Sequence, residues 1–244
     1  MTTPSEGSIA VGGASVTTLT YQPLDTPAAT LVLGHGAGAD QRSSFMTFCG
    51  RSLSSLGIET VTFNFLYTEQ KRRVPDRRPL LEACYRAVVD TVHGRIGGRR
   101  PLFIGGKSMG GRMATHIAAA DAELPVRGLV LLGYPLHPPG RPGERRDAHL
   151  RSVGRRTLFV QGSRDTFGTP EELTPAVSSM SPPGELHVVA GGDHSFKVTR
   201  AAREAAGAAP APQGEVNDGI MRTIASWIEQ VIREGGQESP RRAG

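Results

Sequence analysis

The sequence predicts an α/β fold, a mostly parallel sheet of about seven to eight strands with helices on both faces. Three observations carry this. Apolar, β-branched runs alternate with stretches of helical periodicity along the chain. A length of 244 residues suits one domain built around a single sheet. A glycine-rich turn directly follows one apolar run and opens a helix.

Taken in order, a strand or hairpin is expected within residues 8–20, followed by strands at 30–33, 58–64, 101–104, 126–132, 157–160 and 186–189. Ser44 is placed to cap a helix over 45–56, which Gly57 would end, and Pro79 to begin another that reaches Val92. Further helices are expected over 109–120, 170–178 and 216–232. The Ala/Pro-rich stretch 201–213 is expected to be an irregular insertion. One domain spans 1–244, with 1–7 and 235–244 expected to be disordered.

A chain of this size buries a core without disulfides or a structural metal. Cys49 and Cys84 lie in apolar helical segments, without metal-ligand spacing, and are expected to be buried reduced thiols. No cofactor is expected. The N-terminus lacks the charge and apolar stretch of a leader, and no apolar run approaches the length of a membrane span, so a cytoplasmic, membrane-free protein is expected. The net charge of +5 raises the question of nucleic acid. Arginine carries nearly all of it, lysine standing only at Lys71, Lys107 and Lys197. The clusters at 71–78 and 141–156 are not interleaved with base-stacking aromatics, so nucleic-acid binding is not expected.

The chemistry begins at Gly106-Lys107-Ser108-Met109-Gly110, a G-x-S-x-G match. Its position between the strand at 101–104 and an Ala-rich helix is that of a nucleophile elbow, a turn that lifts a serine above the sheet. Flanking glycines let neighbouring backbone approach, and the helix behind Ser108 offers free N–H groups to an oxyanion. A phosphate-binding loop would need glycine where Pro101 stands, and a dinucleotide fingerprint at Gly34 and Gly36 lacks the acidic residue that should close the next strand. The stretch His35-Gly36-Ala37-Gly38 fits instead the loop that supplies a second oxyanion donor. Ala37 and Met109 are the candidate oxyanion-hole N–H groups. An elbow of this kind needs an acid and then a histidine after later strands. Asp165 and His194 stand there in that order, and Ser108, Asp165 and His194 are the candidate catalytic residues. Asp193 is the competing carboxylate. Among the other histidines, His35 is expected to brace the Ala37 loop, His93 to sit at a helix end, His116 and His187 to be packed or solvent-facing, and His137 and His149 to edge the site.

With these residues in place, the chain resembles the α/β-hydrolases, and within them the small dienelactone-hydrolase-like group. The motifs at 34–40, 105–112, 134–137, 161–165 and 191–194 are similar to a bacterial subfamily that includes a vertebrate testis-expressed protein and a domain of an NSL histone acetyltransferase complex subunit. The resemblance implies the α/β-hydrolase fold. Serine at the elbow, where dienelactone hydrolases carry cysteine, points to hydrolysis of a small carboxylic ester or thioester acyl substrate. The competing class is a non-catalytic interaction domain, which would not need all three site residues. The segment 134–156 lacks the apolar periodicity of a lid, so no cap domain is expected, and Leu136, His137 and Leu150 are expected to edge an open pocket.

Overall fold

The computed structural model describes residues 3–205, 207 and 211–237. Strands β1 (Ser5–Val11) and β2 (Ala14–Tyr21) form an antiparallel hairpin. They are followed by β3 (Ala29–Gly34), helix α1 (Ser44–Ser55), β4 (Ile58–Phe63), the short α2 (Leu66–Glu69), α3 (Arg78–Ile96), β5 (Leu102–Lys107), α4 (Met109–Ala120), β6 (Gly128–Leu132), β7 (Arg156–Gly162), α5 (Pro170–Ser178), β8 (Glu185–Val189), α6 (Arg200–Ala205) and α7 (Gln213–Gln237). The sheet order is β1-β2-β4-β3-β5-β6-β7-β8, and every pair from β4 to β8 is parallel.

The order reverses once. From β3 the chain moves to β4 on one side, then returns past β3 to lay down β5 on the other. Right-handed crossovers place connecting helices on opposite faces when direction reverses, so α1 packs on one face and α3 on the other. Accordingly one apolar core gathers α1 and α7, with Met46, Leu53, Ile224 and Ile228, while the other gathers α3 and α4, with Val88, Val89, Met113 and Ile117. Beyond the carboxyl ends of β3 and β5 the two adjacent connections diverge and leave a crevice.

Several elements depart from their sequence-based bounds. Ser5–Gly7, expected to be disordered, pair with Thr18–Thr20. Backbone bonding, not burial, holds this exposed edge, so the polar side chains gave no sign of it. Ser43, not Ser44, is the N-cap residue of α1 and its hydroxyl makes no cap bond, because a turn from Asp40 O to Ser43 N brings the chain into helix one residue early. Helix α3 passes Val92 to bury Ile96 on the same face before Gly97 (φ 55°) closes it. Within the supposed irregular stretch 201–213, α6 is helical, with Thr199 Oγ1 accepting from Ala202 N (3.2 Å). Helix α7 continues through 235–237, so disorder there is corrected too. Residues 238–244 lie outside the described residues. Cys49 and Cys84 are buried free thiols.

At the end of the sheet away from the crevice, Glu59 is wholly buried and receives Arg95 through both carboxylate oxygens (2.9 and 2.7 Å), Arg100 (2.7 Å), Thr30 (2.9 Å) and the amide of Gln22. Burial alone would raise its pKa. The hydrogen bonds from Arg95, Arg100 and Thr30 outweigh that and hold it at about 2, so the stabilisation is present above the ordinary carboxylate range and is lost only as pH falls through about 2. Glu59→Gln leaves two guanidiniums without their charge partner and is expected to cost about 3 kcal/mol in urea unfolding at pH 7. A loss below about 1 kcal/mol would show that the cluster is dispensable.

Candidate active site

Strand β5 ends in a turn that only glycine can flank. A Cβ on Gly106 would lie 2.3 Å from Gly34 O, and one on Gly110 2.1 Å from the same oxygen. The end of β3, the end of β5 and the start of α4 therefore interlock at backbone contact. Tyr85, buried on α3, locks the same region: its hydroxyl accepts from Gly105 N (3.0 Å) and lies 3.1 Å from Val32 O. At the apex Ser108 adopts φ 51° and ψ −112°, a strained conformation for a residue with a Cβ, held by the Ser108 N to Leu132 O bond (2.9 Å). The turn pushes Oγ above the carboxyl end of the sheet.

The turns after β7 and β8 bring the other two candidates to it. His194 Nε2 lies 2.9 Å from Ser108 Oγ, and His194 Nδ1 lies 2.8 Å from Asp165 Oδ2. A carboxylate only accepts, so Nδ1 carries the proton and Nε2 is free to accept from the serine hydroxyl. Asp165 is wholly buried and two further hydrogen bonds fix its orientation: Oδ2 also accepts from Gln161 Nε2 (2.9 Å) and Oδ1 accepts from Phe167 N (2.8 Å), while the Phe167 ring lies against His194 at 4.2 Å. Asp193 points elsewhere, its Oδ1 accepting from Ser195 N (2.8 Å) and Lys197 N (2.9 Å) to shape the turn that carries His194.

The loop after β3 passes over the serine. A Cβ on Gly36 would lie 3.6 Å from Ser108 Cβ, and Ala37 follows at the lip of the cleft. Among the described residues no group accepts from Ala37 N. Met109 is the first residue of α4, where an N–H has no partner within the helix. His35 braces this loop as expected. Nδ1 donates to Gly36 O (2.8 Å) and Nε2 accepts from Phe65 N (3.3 Å), while burial holds the imidazole below its ordinary pKa.

The cleft above Ser108 holds about 730 Å³ and its walls were not foreseen. Phe45, Met46 and Phe48 of α1 and Phe167 form an apolar side, and Lys197, Gln213 and Asn217 a polar one. Apolar residues on α1 were legible as a packing face, but nothing local shows that part of that face borders the elbow. The residues expected to edge the pocket lie elsewhere. Leu136 and Leu150 are wholly buried in the core, His137 is buried against Glu172 (3.4 Å), and His149 stacks on His116. Lys107 runs beneath His194. Its Nζ is buried, has no hydrogen-bond partner among the described residues and sits 5.4 Å from the Phe196 ring centre, and burial pushes its pKa down to about 8. Between β6 and β7 the described structure holds one short 3₁₀ segment, Ala148–Ser152, and no cap domain. Among the described residues, no helix is long and apolar enough to cross a membrane.

The structure is similar to a serine hydrolase homologue from Coxiella burnetii (TM-score 0.69, 18% identity, covering 91% of this chain and 98% of that one). It is similar also to a lidless serine hydrolase from Xanthomonas campestris (TM-score 0.66, 18% identity, 91% and 95% covered) and to dienelactone hydrolase from Anabaena variabilis (TM-score 0.64, 21% identity, 84% and 95% covered). At these identities the likeness establishes the fold. In sequence, residues 27–211, from just before β3 to beyond His194, match the alpha/beta hydrolase domain, and the chain belongs to that family.

Proposed function

We propose that this protein is a serine-dependent carboxylester hydrolase that cleaves a small ester or thioester through an acyl-enzyme. The proposal includes the narrower kinship with the testis-expressed and NSL-complex groups, which rests on the sequence motifs. The observation that carries the functional reading is the continuous chain from Ser108 Oγ through His194 to buried Asp165, at the floor of an open cleft. A serine hydroxyl is a weak nucleophile at neutral pH. His194 takes its proton as Oγ attacks the acyl carbon, and Asp165 holds the ring in the accepting tautomer and stabilises the imidazolium. The N–H groups of Ala37 and Met109 receive the oxyanion, each contributing about 3 kcal/mol to the barrier reduction. The imidazolium then protonates the leaving group. Water, deprotonated by His194, attacks the acyl-enzyme and releases the acid. Labelling by a fluorophosphonate probe and turnover of a panel of acyl esters and thioesters test this; a protein that neither labels nor turns over any of them is a scaffold.

The cleft is open to solvent and, among the described residues, has no tunnel-forming cap. Each further CH₂ contributes about 0.8 kcal/mol only while it is buried. Activity on p-nitrophenyl esters is therefore expected to level off at short acyl chains, without a jump at the substrate's aggregation point. A kcat/KM that climbs steadily from C2 to C12 would contradict an open site.

A further inference from the structure

Of the three lysines, Lys71 and Lys197 are exposed, while Lys107 carries its ammonium into the interior. It is the last residue of β5, directly before Ser108. Its stem borders the cleft, where Cγ would lie 3.7 Å from a Cβ on Gly36. Nζ turns inward, shut off from solvent and without a hydrogen-bond partner among the described residues. The ring of Phe196, its centre 5.4 Å away, receives the ammonium. A ring face replaces only part of the lost hydration. Burial accordingly pushes the pKa down to about 8, against the fields of Asp165 and Asp193, which raise it.

Asp165 presents the complementary case. It is wholly buried, its hydrogen-bond donors are Gln161 Nε2, Phe167 N and His194 Nδ1, and among the described residues no lysine or arginine touches it. One buried cation lacks a contact anion, and one buried anion lacks a lysine or arginine in contact. Both border His194. A Cβ on Gly133 would lie 2.7 Å from Lys107 Nζ, 3.1 Å from His194 O and 3.4 Å from His194 Nδ1. The ammonium and the ring nitrogen that faces Asp165 therefore look onto one gap, which glycine at φ 62° leaves free of a side chain.

The charges change when Ser108 attacks. At rest the Asp165–His194 pair carries one negative charge. The oxyanion adds a second, and the imidazolium supplies one positive charge against the two. We propose that Lys107 is a positioning residue for this attack: its ammonium, held against Phe196 beside the Gly133 gap, supplies the second positive charge and acts through the Asp165–His194 pair without touching substrate. The charge is in place before the reaction begins, so none of the protein's dipoles has to turn to provide it. Because Nζ is sealed from the cleft, it exchanges no proton with a substrate there, and only its charge can act. This inference rests on the hydrolytic reading and adds a basic limb to it, the charged form of Lys107 being the active one.

The groups that face Lys107 allow the limb to be assigned. The Cys49 thiol on α1, which burial pushes up to about 12, stays uncharged, and Asp165 and Asp193 are both hydrogen-bonded carboxylates. A window from about pH 7 to about pH 9.5 begins above the ordinary carboxylate and imidazole ranges, which sets His194 apart. The rate of fluorophosphonate labelling reads the attack alone: Ser108 Oγ bonds to phosphorus, His194 takes the proton, and fluoride leaves with the electron pair of its bond.

In wild type that rate is expected to fall about tenfold as pH rises through about 8. Lys107→Met is expected to label about tenfold more slowly than wild type at about pH 7 and to show no fall across the window. Lys197, which also lines the cleft, is present in both proteins and cancels from the comparison. Methionine approaches the length of the lysine stem and removes an unpartnered buried charge, so the variant is expected to melt no lower than wild type, which separates a lost field from a lost fold. A wild-type rate that is flat or rises through about 8 overturns the proposal without recourse to any variant. So does a Lys107→Met protein that keeps the wild-type fall. A wild type that does not label at all overturns the hydrolytic reading and this inference together, whereas one that labels at a rate independent of pH overturns this inference alone.

Discussion

Ser108→Ala is expected to abolish fluorophosphonate labelling and to lower ester hydrolysis by about 10⁵- to 10⁶-fold, with the thermal midpoint within about two degrees of wild type. The substitution removes one oxygen and keeps the Cβ, so the strained φ of 51° and the glycine interlock around it are unchanged. The only hydrogen bond that Oγ makes among the described residues is to His194 Nε2 at 2.9 Å, a contact contributing about 1 kcal/mol to stability. The loss therefore falls on the chemistry. A variant that still labels, or retains a tenth of the wild-type rate, would remove Ser108 as nucleophile.

The second large effect is expected for Asp165→Asn, with kcat reduced about 10⁴-fold. The asparagine oxygen can still accept from Phe167 N, which leaves the amide nitrogen facing His194 Nδ1 and Gln161 Nε2. A donor opposite Nδ1 selects the tautomer with its proton on Nε2, and that ring cannot accept from Ser108. Asp193→Asn tests the neighbouring carboxylate. Its Oδ1 accepts two backbone N–H groups, a role that asparagine fulfils equally, so a change of no more than about threefold is expected. Steady-state kinetics on both variants decide the matter. A severe loss in Asp193→Asn beside a mild one in Asp165→Asn would transfer the acid to Asp193.

The parts of this protein legible in its sequence are those in which local composition and tertiary role coincide. The inner parallel strands, β3 to β7, are buried on both faces, so they show as apolar runs such as Leu31–Leu33 and Leu129–Leu132. The turn at Ser108 was readable because its geometry admits few residue types, and the convergence of Asp165 and His194 on it because chain order and strand ends restrict which side chains can reach that point. What was misread depends on contacts between distant segments. Ser5–Gly7 are strand because β2 is there to pair with them, and Leu66–Glu69 is too short for any periodicity to register. Leu136, His137 and Leu150 were placed at the pocket because they follow β6 in sequence. In space that connection folds back into the core, and α1 and α7 take the lip.

That arrangement bears on evolvability. Phe45, Phe48 and Asn217 stand on helices that hold none of Ser108, Asp165 and His194, so acquiring a new preferred compound need not disturb the proposed reaction apparatus. The backbone contacts around Gly34, Gly106 and Gly110 have the opposite character, because almost any side chain introduced there collides with main chain. Divergence in this lineage should therefore accumulate in the cleft walls, as paralogues of differing taste around an invariant turn. A combinatorial library at Phe45, Phe48 and Asn217, sorted by covalent capture with a fluorophosphonate, would retain most of its members while scattering their preferences.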